Sequence, residues 1–174
     1  MTSPSSAQPV PARITEAFER FAESIALKEG IPVPVLDYRA AATEQLPDGV
    51  VVTLWVGTAD GVRSRCYHVD VAAADGITTT GHGGCTIGGN AVSLGRAGSL
   101  VVGSVGTLPV DTVRVTTPHG TAALDVTAGY FLIPTHLAPE HDVRHTVILI
   151  GSTGAVLGQV TDLLAPGSAV PAQP

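Results

Sequence analysis

Residues 78–90, TTTGHGGCTIGGN, set His82 and Cys85 among five glycines, and the only other cysteine, Cys66, stands in VRSRCYHVDV (62–71) beside His68 and Asp70. Three chemistries suit these residue types at this spacing. The first is a disulfide between Cys66 and Cys85, with the glycines giving a loop the positive φ and lack of bulk it needs to fold back on a strand. An oxidising compartment is its condition. The second is a metal centre in which Cys66-x-His68 and His82-x-x-Cys85 supply four ligands to zinc, although structural zinc sites more often use paired Cys-x-x-Cys knuckles. The third is nucleophilic: a Cys85 thiolate beside backbone N–H donors, with His68 or His82 as base. Two inert, buried thiols are the bland alternative.

Other constellations are weaker. In THLAPEHDVRH, His136, His141 and His145 are separated by five and four residues across a proline. That spacing does not put imidazoles on one helix face, so a solvated loop is expected. Asp37, Asp48 and Asp111 flank turns or prolines, where carboxylates bond nearby backbone. GHGGCTIGGN lacks the lysine and long following helix of a phosphate-binding loop, so nucleotide chemistry is not expected and no cofactor is called for. The net charge is −6 and the lone lysine and eight arginines are scattered, which leaves no basic stripe for nucleic acid or an anionic membrane surface. No apolar run approaches the ~20 residues that span a bilayer, and no signal peptide is visible at the start.

The elements that must position these residues follow from periodicity. Residues 1–11 and 165–174 are rich in Pro, Ser and Ala and are expected to be disordered tails around one domain, 12–164. Ile14, Phe18, Phe21 and Ile25 recur at helical spacing, which predicts an amphipathic helix over 12–29 ending at Gly30. Its stripe either caps the core or, through Phe18 and Phe21, meets a protein partner. IPVPVLD is extended, and YRAAATEQL suggests a short second helix. A β body is predicted over 48–162. VVVTLWVG and VRSRCYHVDV form a hairpin around TADG, with Cys66, His68 and Asp70 on one face of the second strand. Further strands fall at GITTT, SLVVGSVG, DTVRVTTP, TAALDVT, GYFLIP, TVILIG and AVLGQVT. Turns fall at Asp75-Gly76, at Pro118-His119-Gly120 and at 151–154. Apolar content is 44% with only 4% aromatic, so aliphatic side chains must fill the core.

The stretch VGTLPVDTVRVTTPHGTAALDVTAGYFLIP, followed by TVILIGSTGAVLGQV, resembles a β-module of uncharacterised actinobacterial extracytoplasmic proteins. There a V-x-V strand and its turn precede a Gly-aromatic-Phe-Leu strand, and a last strand carries a D-x-x-G-x-V-L turn. The resemblance covers about residues 100–160. This sequence has Ser152 where that last turn has Asp, and His119 before Gly120. The resemblance implies a non-catalytic module and carries no catalytic residue across.

The expected fold is mainly β (α+β): an antiparallel sandwich or open barrel with one N-terminal helix. The expected function is a non-catalytic binding or structural module rather than an enzyme; its location is left open, and a Cys66–Cys85 bridge favours a place outside the cytoplasm. The alternative is a small metal-dependent or cysteine-nucleophile hydrolase centred on Cys66, His68, His82 and Cys85.

Overall fold

The computed structural model describes residues 9–30, 35–59, 64–87, 89–97, 99–167 and 169–174. One α-helix, α1 (Ala12–Glu29), precedes twelve strands. In chain order these are β1 (Val35–Gln45), β2 (Val51–Ala59), β3 (Ser64–Ala72), β4 (Thr79–Ile87), β5 (Ala91–Ala97), β6 (Leu100–Ser104), β7 (Thr112–Thr117), β8 (Gly120–Asp125), β9 (Tyr130–Ile133), β10 (His145–Ile150), β11 (Val156–Leu163) and β12 (Val170–Pro171). They form three four-stranded antiparallel sheets, ordered β1-β2-β3-β4, β12-β5-β6-β9 and β11-β10-β7-β8. The mainly β class with one N-terminal helix is as expected, and the sheets do not close into a barrel.

Burial patterns explain the stacking. All of β6 and β9 is buried, whereas β10 alternates buried and half-buried residues and β7 alternates buried with more exposed ones. A strand buried on both faces belongs to a middle layer, and an alternating one to an outer layer. One face of the middle sheet, with Val92, Val101, Phe131 and Ile133, meets Val113, Val115, Val147 and Leu149 in the largest core cluster. Its other face, with Leu100, Val102, Tyr130 and Leu132, meets Val52, Leu54, Val56 and Val69 of the first sheet.

The helix covers the remaining face of that first sheet. Pro11, extended, precedes it, and Gly30 in the left-handed region ends it by donating its N–H to Ala26 O. Ile14 and Phe18 are fully buried against Trp55 and Cys66, with Phe21, Ala22 and Tyr38 packed around them. Phe18 and Tyr38 stack at 4.7 Å. The stripe thus caps a sheet face rather than the largest core. Phe18 is buried by the chain itself and Phe21 is half-buried in the same aromatic cluster. Leu27, at 89% exposed, is the large apolar side chain the helix turns to solvent.

Three further expectations are corrected. Of residues 38–46, all but Leu46 belong to β1 and none to a second helix: the helix preference of the alanines at 40–42 loses to the strand's eight paired positions with β2. Residues 79–87 are a strand, not a loop. Residues 165–174 are not a disordered tail: Val170 and Pro171 pair with Val92 and Ala91, and Gln173 bridges Gln159. The predicted tail at 1–8 and the turn residues 60–63 lie outside the described residues.

Candidate functional site

Strand β4 pairs with β3 through nine consecutive residues, and this register determines which candidate groups meet. Cys66 faces Cys85, His68 faces Gly83 and Asp70 faces Gly81. Because side chains alternate along a strand, Cys66, His68, Asp70, Gly81, Gly83 and Cys85 share the face covered by α1. His82 opposes Val69 and lies on the other face. The four residues proposed as zinc ligands, or as nucleophile and base, therefore do not converge. Cys66 and Cys85 are joined as a disulfide, with Cα atoms 4.1 Å apart. Neither is a free thiol. Among the described residues no group of three or more His, Cys, Asp or Glu side chains gathers to hold a metal ion.

The glycines serve side-chain space. Gly81, Gly83 and Gly84 are absent from the positive-φ positions, so conformational freedom is not why they are here. A Cβ on Gly81 would run into the imidazole of His68, and one on Gly83 would run into Tyr67 O and lie 2.9 Å from Phe21 Cζ. Removing side chains at 81 and 83 lets His68 reach across to β4 and lets the helix ring settle on the strand. Phe21 and His68 lie with ring centroids 6.4 Å apart.

Beside this contact Asp70, 5% exposed, is held by Arg13 from the helix. Nε donates to Oδ1 at 2.9 Å and Nη2 to Oδ2 at 2.7 Å. Such a two-pronged pair satisfies a buried carboxylate and fixes the helix on the sheet. It raises the guanidinium pKa further. No local signal in the sequence links these residues, which are 57 positions apart. His68 is different: burial pushes its pKa below the usual imidazole value, against the opposing pull of Asp70. Its Nδ1 and the Nε1 of Trp55, the residue opposite it on β2, are both buried with no hydrogen-bond partner among the described residues. The arrangement is a buried imidazole beside a phenyl ring, next to an ion pair already satisfied within the chain.

The histidines of 136–145 separate. His136 is in a 3-10 turn, Thr135–Leu137, and His136 and His141 are exposed. His145, expected in a solvated loop, is instead 1% exposed at the start of β10. Its Nδ1 donates to Leu163 O at 3.1 Å in the tautomer this bond requires, while Nε2 has no hydrogen-bond partner among the described residues. Its pKa is lowered, chiefly by burial. The first residue of a strand shares its inward face with Val147 and Leu149, which is why this histidine is drawn in. Asp48 bonds Val50 N as expected of a turn carboxylate, and the Asp37 side chain lies outside the described residues. No helix among the described residues is long and apolar enough to cross a membrane.

Comparison of the chain with protein-family models, with curated proteins and with solved structures finds no match in any of the three.

Proposed function

We propose that the chain is a non-catalytic binding or structural module working in an oxidising, extracytoplasmic compartment. The observation that carries this is the direct cross-strand link between Cys66 and Cys85. A disulfide persists where thiols are not continually reduced, and a bonded sulfur is neither nucleophile nor zinc ligand. Support also comes from the satisfied Arg13–Asp70 pair and from His82 facing away from the cysteines. The likeness of residues 100–160 to extracytoplasmic actinobacterial β-modules agrees with it.

The test is the intact mass of native protein, before and after reduction, with zinc and alkylatable thiols counted on the same sample. A gain of two hydrogens on reduction, no alkylation beforehand and no zinc are expected. One equivalent of zinc, or a native thiol captured rapidly by a limiting alkylator, overturns the proposal in favour of the hydrolase or metal enzyme.

A further inference from the structure

Strand β4 ends its sheet, and it lacks the devices by which the other edges are protected. Thr79–Ile87 contains no proline and no Asp, Glu, Lys or Arg, and its ladder with β3 has no register shift. By contrast, the β1 ladder shifts twice and the strand carries Asp37, Arg39 and Glu44. The β11 ladder also shifts twice, and its Gln159 bridges Gln173. β8 ends on Asp125, β12 is two residues long with a proline, and β9 is fully buried. Long, flat, uncharged edges template the addition of another strand.

The groups such a strand would bond are identifiable. A Cα separation of 4.1 Å marks Cys66 and Cys85 as a non-hydrogen-bonded pair of the ladder. By alternation Thr79, Gly81, Gly83 and Cys85 turn their N–H and C=O groups away from β3. Among the described residues no backbone hydrogen bond outside the sheet ladders ends on any of them.

Two cavities adjoin this edge on the side facing the middle sheet. One, of about 420 Å³, touches Thr80, Gly81 and His82 and is walled mainly by Leu46, Val52, Val69, Val71 and Leu100, with Arg96 and Ser99 also on its lining. The other, of about 350 Å³, touches Gly84 and Cys85 and is walled by Tyr67, Ser93, Gly95, Ser104 and Tyr130. Among the described residues no charged side chain lines the second.

We propose that the β4 edge receives an extended, uncharged peptide segment of a partner protein as an added strand. A branched aliphatic side chain of that segment enters the Leu/Val-walled cavity, and a small hydroxyl-bearing side chain, two or four residues away on the same face, enters the Tyr/Ser-walled one. Main-chain hydrogen bonds to Thr79, Gly81, Gly83 and Cys85 supply the docking. A second copy of this chain fits less well. Antiparallel β4 pairing about Gly83 would bring Thr80, His82 and Gly84 to the cavity side, and none of these carries an aliphatic side chain for the larger cavity. The proposal rests on the binding-module reading above.

The probe is the blocked peptide acetyl-TVTSTST-amide, titrated into ¹⁵N-labelled full-length protein whose disulfide is verified by mass on the same sample. Saturable shifts of the Thr79, Gly81, Gly83 and Cys85 amides are expected. Replacing the valine by serine, or N-methylating alternate residues of the peptide, is expected to weaken binding at least tenfold. Thr80→Lys, at an exposed position, should weaken it similarly while leaving the melting temperature unchanged. Absence of saturable shifts, or equal binding of the N-methylated peptide, overturns the proposal. So does a concentration-dependent dimer abolished by Thr80→Lys, which would give the edge to a second copy. A negative titration with the cysteines bonded defeats the edge site alone, whereas free thiols or bound zinc defeat the module reading itself.

Discussion

Cys66 and Cys85 stand opposite each other, but their surroundings differ: Cys66 is fully buried beneath Ile14 and Phe18, while Cys85 is half-buried on the edge strand. The bridge spans a sequence separation of 19, for which loop-closure entropy gives about 3 kcal/mol of stabilisation. Cys85→Ser is expected to lower the urea-unfolding free energy by about that amount. Cys66→Ser is expected to cost more, because it also leaves a hydroxyl in an apolar cluster. The double variant should match Cys66→Ser within roughly 0.5 kcal/mol, since both changes break one bond. The adjacent glycines give a second contrast. Gly83→Ala is expected to cost at least about 1–3 kcal/mol, as the new methyl meets Tyr67 O and Phe21. Gly84→Ala is expected to be neutral or to stabilise by about 0.5–1 kcal/mol, because its Cβ would meet only Tyr67 Cε1 at 4.0 Å. Thermal melts of the two variants side by side check this, and equal effects would show that the glycines are not there for side-chain space.

At the scale of elements, α1 is joined to the first sheet by the buried Ile14 and Phe18, with Phe21 beside them, and by the Arg13–Asp70 ion pair. Phe18→Ala is expected to cost about 3–5 kcal/mol, with Leu27→Ala, on the exposed face of the same helix, leaving the melting temperature unchanged. Arg13→Ala should cost about 1.5–3 kcal/mol by stripping Asp70 of its charged partner, and Asp70→Asn in that background should recover part of the loss. The helix was legible because its period is local: Ile14, Phe18 and Phe21 declare it without reference to the sheet. The alternation of Cys66, His68 and Asp70 on β3 was legible for the same reason. What misled was local preference without tertiary context. Three alanines at 40–42 favour helix until β2 pairs with them, and the glycines at 81, 83 and 84 resemble a loop until His68 and Phe21 are seen to need the space. The Arg13–Asp70 pair, the heart of the helix contact, has no sequence signature at all.

Across the whole molecule, two imidazoles are kept neutral in separate interiors, His68 between helix and sheet and His145 in the largest core region. For both, burial lowers the folded-state pKa. Asp70 opposes this at His68 while Arg13, Arg20 and His82 reinforce it, and Arg96 reinforces it at His145. An imidazole of this kind binds its proton less readily folded than unfolded. Its full contribution is therefore present above the unfolded value of 6.5 and is lost as pH falls below it, until the lowered folded pKa is passed. Unfolding free energy is expected to decline from pH 7.5 to pH 5, by at most about 1.4 kcal/mol per pH unit for each histidine. Urea midpoints at three pH values, compared with a His68→Gln, His145→Gln double variant whose profile should be flatter, provide the check.

The middle sheet, buried on both faces, also sets an order of events for a chain that is made or threaded N-terminus first. Its strands β5, β6 and β9 are complete by residue 133, and the first sheet, already emerged, can close over one side. The partners for the other side are divided, with β7 and β8 at hand but β10 and β11 arriving only with residues 145–163. Until then Val113 and Val115 of β7 are the partners present for Phe131, Ile133 and Val101, and the part of that side that Val147, Leu149, Val160 and Leu163 will cover is a transient apolar surface of the sort that chaperones engage and that invites aggregation. A stall or cleavage between residues 134 and 144 thus leaves a fragment with one side finished and the other only partly covered.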